Sequence, residues 1–248
     1  PEGLKPQGPK LAEIIEKAGA MAVISADPCY GACDLAEEEA RSLKADLLVH
    51  FGHSRIRHED QPERIPTIYI DAESKLSLNA SLKKALPLIK SWKHIELVTT
   101  IQHVKRLGEA RKVLLAAGKS VAIGDVGKLS YEGQIFGCDL SNARAVASDV
   151  GGFLCICGGR FHAIGVALAT SKPTIVADPY EDRAYSVDDD ADRIRKQRWA
   201  IIQEAADAQQ FGVLIGLKTG QRRLEKALHI KLKLQKAWKK TTLLAVRD

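Results

Sequence analysis

Gly31-Ala32-Cys33-Asp34-Leu35 opens a segment that runs through Ala45-Asp46-Leu47-Leu48-Val49-His50 to Gly52, and the segment recurs. Gly137-Cys138-Asp139-Leu140 leads through Ser148-Asp149-Val150 and Phe153-Leu154-Cys155-Ile156 to Gly158-Gly159. The cysteine precedes the closing glycine by 19 residues in the first copy and 20 in the second. Each copy reads as a turn, an amphipathic helix and a short apolar strand that stops at glycine. One architectural unit is used at least twice, with a thiol at the same corner each time. Thiols at equivalent corners of repeated units can converge on one metal centre.

Three stretches also begin alike. Glu2-Gly3-Leu4-Lys5 precedes a helix and a strand at Val23, and Gln102-His103-Val104-Lys105 precedes a helix and a strand at Ala122. Gly216-Leu217-Lys218-Thr219-Gly220-Gln221 precedes a helix and a strand at Leu244. Self-similarity of this kind is the mark of a repeated supersecondary unit. The expected fold is α/β, with three pseudo-symmetric Rossmann-like domains built on parallel sheets. Residues 1–90 form the unit of Cys33 and residues 91–185 the unit of Cys138. Residues 186–248 form a third, which stops before its cysteine corner. The first unit lacks its opening strand, and a start at Pro1-Glu2-Gly3 instead of methionine reads as part of a longer protein.

Strands and helices alternate throughout, which implies parallel sheets covered by helices on both faces. The apolar patterns place helices over residues 11–18, 81–90, 104–117, 142–148, 190–209 and 222–240, and another over 34–43 with Asp34 as its cap. Strands fall at 21–25, 47–51, 67–70, 95–101, 121–124, 152–157, 174–177, 211–216 and 242–246. Ala227, Ile230, Leu234 and Trp238 give the last helix a buried stripe. Cys33, Cys138 and the Gly158-Gly159 turn fall in loops that follow strands, where such sheets place their chemistry.

The chain has 248 residues, 45% hydrophobic and 27% charged, an ordinary soluble composition. No apolar run nears the roughly 18 residues that span a bilayer, so no membrane partner is expected. The net charge of +6 comes from a Lys/Arg excess after Asp192. That excess lacks the interleaved aromatics that read RNA, so an acidic protein is the expected partner and a nucleic acid is not.

Five cysteines are too irregular for a disulfide framework, and a cytoplasmic protein with reduced thiols is the expectation. Cys29-x-x-x-Cys33 resembles the start of the CxxxCxxC loop of radical S-adenosylmethionine enzymes, but Ala36 stands where the third cysteine belongs. Cys155 and Cys157 alternate on an apolar strand and read as core residues. Cys33 and Cys138 recur in register beside an aspartate and a helix start, the setting that favours a metal-binding thiolate. The Gly158-Gly159-Arg160-Phe161-His162 turn offers backbone N–H groups to a carboxylate or phosphate. His50, His53 and His58 have no standard zinc spacing.

Tyr30-Gly31-Ala32-Cys33-Asp34, Leu48-Val49-His50-Phe51-Gly52-His53-Ser54, Gly133-Gln134-Ile135-Phe136-Gly137-Cys138 and Gly158-Gly159-Arg160-Phe161-His162 together resemble the enzymes of the first step of diphthamide biosynthesis, in their archaeal homodimeric form. The resemblance covers nearly the whole chain. It implies three pseudo-symmetric domains that each give one cysteine to a 4Fe–4S cluster, with Cys33 and Cys138 as two of the ligands. The third has no counterpart before Asp248. It further implies that S-adenosylmethionine binds the open iron and yields a 3-amino-3-carboxypropyl radical, which adds to a histidine of translation elongation factor 2. Gly158, Gly159, His162, Gly124 and Asp125 are the expected S-adenosylmethionine contacts, with Lys218 and Gln221 after the corresponding strand of the third unit. Quinolinate synthase, which also holds a cluster among three such domains, is the alternative enzyme, and a non-catalytic scaffold subunit of a diphthamide-synthesis complex is the alternative of another class.

Overall fold

Phe153, Leu154, Cys155 and Ile156 are apolar in succession, a run that suits a strand covered on both faces. The computed structural model, which describes residues 2–55, 65–127, 129–218 and 221–247, bears this out. In chain order it holds α1 (Gly8–Lys17), α2 (Glu37–Ser42), β1 (Leu48–Phe51), β2 (Thr67–Ile70), α3 (Asn79–Ala85) and β3 (His94–Thr99). There follow α4 (Leu107–Ala116), β4 (Ser120–Ala122), α5 (Ser141–Ala145), β5 (Gly152–Ile156), α6 (Phe161–Thr170), β6 (Thr174–Asp178) and β7 (Arg183–Ser186). The chain closes with α7 (Asp188–Ala205), β8 (Gln210–Gly216), α8 (Leu224–Lys236) and β9 (Lys240–Val246).

Two bodies divide the described residues. One holds those within Pro1–His53, His58–Ile70 and Ala200–Asp248, the other those within Ser54–Arg57 and Asp71–Trp199. The second body has a five-stranded sheet in the order β4-β3-β5-β6-β7, parallel except at β7. Alternation splits β5 between two cores. Leu154 and Ile156 join Leu78, Leu82, Ile89, Leu97 and Leu114 on one face, while Phe153 and Cys155 join Val98, Ala163, Val166 and Val176 on the other. Each fully buried Leu, Ile or Phe contributes about 1.5–3 kcal/mol.

The first body holds two parallel pairs, β1–β2 and β8–β9. The turn–helix–strand order after Cys33 (α2, β1) repeats after Cys138 (α5, β5). The fold is thus mixed α/β with mostly parallel sheets. Among the described residues no helix is long and apolar enough to cross a membrane.

Several local expectations are corrected. Residues 21–25 form no strand: they have no ladder partner among the described residues, and Met21 is 88% exposed. Asp34 does not cap α2, which starts at Glu37, because its carboxylate is engaged elsewhere. Helix α3 ends at Ala85, and Pro87, which has no N–H to carry the ladder on, is followed by turns, although Leu86 keeps helical backbone. Trp238 lies beyond α8 at φ +60° and is 93% exposed, so the expected buried stripe reduces mainly to Ala227. The two-stranded sheet beneath α8 is too narrow to cover Ile230 as well. The antiparallel edge strand β7, only four residues long, was not legible in the pattern. His58 lies outside the described residues.

Candidate functional site

In the first body the Cys33 turn closes through a hydrogen bond from Asp34 N–H to Gly31 O at 3.0 Å. The Asp34 carboxylate accepts from Tyr30 N–H at 3.3 Å and pairs with Lys218 Nζ at 3.0 Å, and both side chains of the pair are largely shielded from water. Gln221 Nε2 points its N–H at Cys33 Sγ across 3.9 Å, and Arg222 pairs with Glu38 at 3.0 Å while donating to Leu217 O at 2.7 Å. The segment that follows β8 thus braces the cysteine turn. Lys218 and Gln221 sit beside Cys33, and an N–H aimed at sulfur is one of the levers that tunes an iron–sulfur ligand.

In the second body Cys138 is exposed. Asp139 Oδ1 accepts from Ser141 N–H at 2.9 Å and from its hydroxyl at 2.6 Å, which secures the start of α5 next to the thiol. Neither cysteine is itself at a helix N-terminus: α2 and α5 begin four and three residues later, so the expected helix-start activation does not apply. Cys155 and Cys157 are fully buried with their sulfurs 3.3 Å apart. The hydrogen bond to Cys157 and burial both push the Cys155 thiol well above its ordinary pKa, which keeps it protonated and a poor ligand. Cys33, half-buried in the first body, and Cys138, exposed in the second, are by contrast reachable from solvent.

The parallel strands of the second body end on a common edge. Chain order passes from β3 outward to β4 and then back across β3 to β5, so the topological switch lies between β3 and β5, where α/β sheets form their ligand crevice. Gly158 and Gly159 follow the end of β5, and His162 lies in the first turn of α6 behind them. Burial lowers the His162 pKa, which favours the neutral imidazole. Gly124 and Asp125 follow the end of β4. The two groups therefore do not end adjacent strands, since β3 stands between them.

Gly159 has φ +69°, a left-handed conformation. Its N–H donates to Asp178 Oδ2 at 2.9 Å, and Asp178 Oδ1 accepts from the N–H of Tyr180 at 2.9 Å. The expected anion-binding N–H at Gly159 is thus already occupied by a carboxylate, and Asp178 shapes this turn. Gly124 N–H donates to the Glu96 carboxylate, which is buried on β3. Burial raises the Glu96 pKa to about 7, so near neutrality a large share of it is protonated. His103, 1% exposed, lies edge-on to Tyr180 at 5.6 Å, and neither ring nitrogen has a hydrogen-bond partner among the described residues. Burial pulls its pKa down to about 4. Asp178, Glu96 and His103 were missed in the sequence. The only available signal was a polar residue interrupting an apolar strand, as in Ile95-Glu96-Leu97.

A family sequence model described as "Putative diphthamide synthesis protein" matches residues 1–248. The 2-(3-amino-3-carboxypropyl)histidine synthase of Pyrococcus horikoshii is 37% identical over 250 aligned positions that cover all of this chain and 71% of the relative. Subunit 1 of the Gallus gallus enzyme of the same name is 32% identical over 87% of this chain, which spans about half, 52%, of that relative. The crystal structure of Dph2 from Pyrococcus horikoshii with 4Fe-4S cluster superposes with a TM-score of 0.90 at 35% identity, covering all of this chain and 72% of that one.

Proposed function

We propose, since the chain belongs to the diphthamide synthesis family, that it acts as a 2-(3-amino-3-carboxypropyl)histidine synthase in the first step of diphthamide formation. The observation that carries this reading is the pair of reachable thiols, Cys33 and Cys138, at matching corners of a repeated turn–helix–strand order. Each donates a thiolate to a 4Fe–4S cluster, as part of a three-unit pseudo-symmetric architecture with unit boundaries near residues 90 and 185. When bound, the cluster would supply the electron for reductive cleavage of S-adenosylmethionine, from which the 3-amino-3-carboxypropyl group is transferred.

The residues of this chain position these groups. Lys218 fixes Asp34 and so the Cys33 turn, and Gln221 directs an N–H at the sulfur. Gly158, Gly159 and His162 form the S-adenosylmethionine side of the crevice, with Gly124 and Asp125 at its far margin. Asp178 fixes the Gly159 turn by accepting its N–H. The acceptor is a histidine of translation elongation factor 2, and the working form is a cytoplasmic homodimer. The basic excess after Asp192 suits an acidic protein surface.

Anaerobic reconstitution with iron and sulfide, followed by dithionite reduction and electron paramagnetic resonance, tests the cluster. The wild-type chain should give a reduced-cluster signal that Cys33→Ala or Cys138→Ala abolishes. Wild-type iron content in both variants would overturn the ligand assignment.

A further inference from the structure

We propose that Cys29, His50 and His53 form a second metal site, for a single divalent transition-metal ion of the zinc type, separate from the cysteines assigned to the cluster. The three ligand atoms all lie within 4.8 Å of one another, with His50 Nε2 and His53 Nδ1 3.0 Å apart. Zinc held at about 2.0–2.1 Å from two imidazole nitrogens in tetrahedral geometry separates them by about 3.3 Å, so small ring movements admit the ion. One sulfur and two nitrogens suit a borderline ion such as zinc or cobalt, and three protein ligands leave a fourth position for water.

The backbone explains how residues so far apart in sequence meet. His50 is on β1, buried, and opposite Tyr69 of β2 in register, with the Tyr69 ring edge-on at 5.7 Å. Gly52 takes φ +78° while its N–H donates to Ile70 O at 2.8 Å. That left-handed residue turns the chain at the strand end and brings His53 back against His50, their rings stacked at 5.2 Å. Cys29 comes from the loop before α2, and its half-buried thiol donates to Gly31 O across 3.8 Å. Histidine spacing alone missed the site because the third ligand arrives from another segment.

Burial keeps His50 an uncharged imidazole, the ligating form, whereas burial of Cys29 favours the thiol. A divalent ion reverses the latter preference: the Cys29 proton leaves to solvent as the sulfur–metal bond forms. Cys29 lies four residues before Cys33, so its ligation ties the loop that presents Cys33 to the end of β1. The competing account is a plain imidazole–imidazole hydrogen bond with Cys29 a bystander.

Cobalt(II) titration of the chelator-stripped full chain, without sulfide, separates the two. The site predicts one equivalent bound, a sulfur-to-cobalt charge-transfer band, and displacement by zinc. Cys29→Ser should remove the band, and His53→Gln should weaken zinc by about 10- to 100-fold or more, the scale on which even supporting residues act. Cys33→Ala and Cys138→Ala should retain the band. Zinc should also protect Cys29 from alkylation in the wild-type chain, read cysteine by cysteine by mass spectrometry, so the result does not hinge on a variant that fails to fold. Absence of the band in wild type, a band that follows Cys33 or Cys138, or alkylation of Cys29 unchanged by zinc would overturn the proposal.

Discussion

Replacing Glu96 with glutamine should make the protein more stable above neutral pH and change little below pH 5. The carboxyl is fully buried on β3, one oxygen accepts the Gly124 N–H, and the other has no partner among the described residues. Burial raises its pKa from 4.5 to about 7. A group whose folded pKa is raised contributes fully below its unfolded pKa and loses that contribution as pH climbs through the folded one. Wild-type stability should therefore fall between about pH 4.5 and pH 7. Two and a half pKa units correspond to about 3 kcal/mol. Glutamine keeps an acceptor for Gly124 and stays neutral at every pH. Its N–H group faces the same unpartnered space as the protonated oxygen, so that cost cancels when one pH is compared with another. Urea unfolding of both proteins at pH 5 and pH 8 measures the difference. Between these two pH values the gap in favour of glutamine should widen by about 2.5 kcal/mol, roughly 5–10 °C in Tm for a protein of this size, because part of the contribution is already lost by pH 5. Parallel stability curves for the two proteins would refute the argument that Glu96 is held neutral by burial.

Cys155→Ala and Cys157→Ala should each keep the full iron content of the reconstituted protein, because both sulfurs are core atoms, and each should cost about 1 kcal/mol in urea unfolding. Gly159→Val forces a β-branched residue into φ +69° beside the Asp178 bond, a strain of about 1–3 kcal/mol. Calorimetric titration should show lost S-adenosylmethionine binding in a chain that still melts cooperatively, and wild-type affinity would remove this turn from the pocket. Association with elongation factor 2 in stopped flow should slow as salt rises, since the basic excess after Asp192 steers the encounter.

The parts of the fold that could be read in sequence were those where one face decides the residue. Apolar runs gave β5 and β6, and also β3 despite its interruption at Glu96, and the in-register Gly-(x)-Cys-Asp turns gave the two corners that set Cys33 and Cys138 apart from the buried Cys155 and Cys157. Where several segments must meet, local pattern was silent. Residues 21–25 look like a strand, yet a strand exists only through its ladder partner. Asp34 looks like a helix cap, yet Lys218, far along the chain, takes its carboxylate. Asp178 reads as the polar end of a strand, and only the folded turn reveals that it holds the Gly159 N–H. The Cys29, His50 and His53 grouping depends in the same way on a left-handed turn at Gly52.

The central claim is transfer of the 3-amino-3-carboxypropyl group. The cluster-loaded protein, reduced with dithionite, is incubated with elongation factor 2 and S-adenosylmethionine labelled in the carboxyl of its methionine part. The account predicts label on one histidine of the factor and an equal amount of methylthioadenosine released. Deoxyadenosine in place of methylthioadenosine with no label on the factor, or quinolinate formed from iminoaspartate and dihydroxyacetone phosphate, would contradict it.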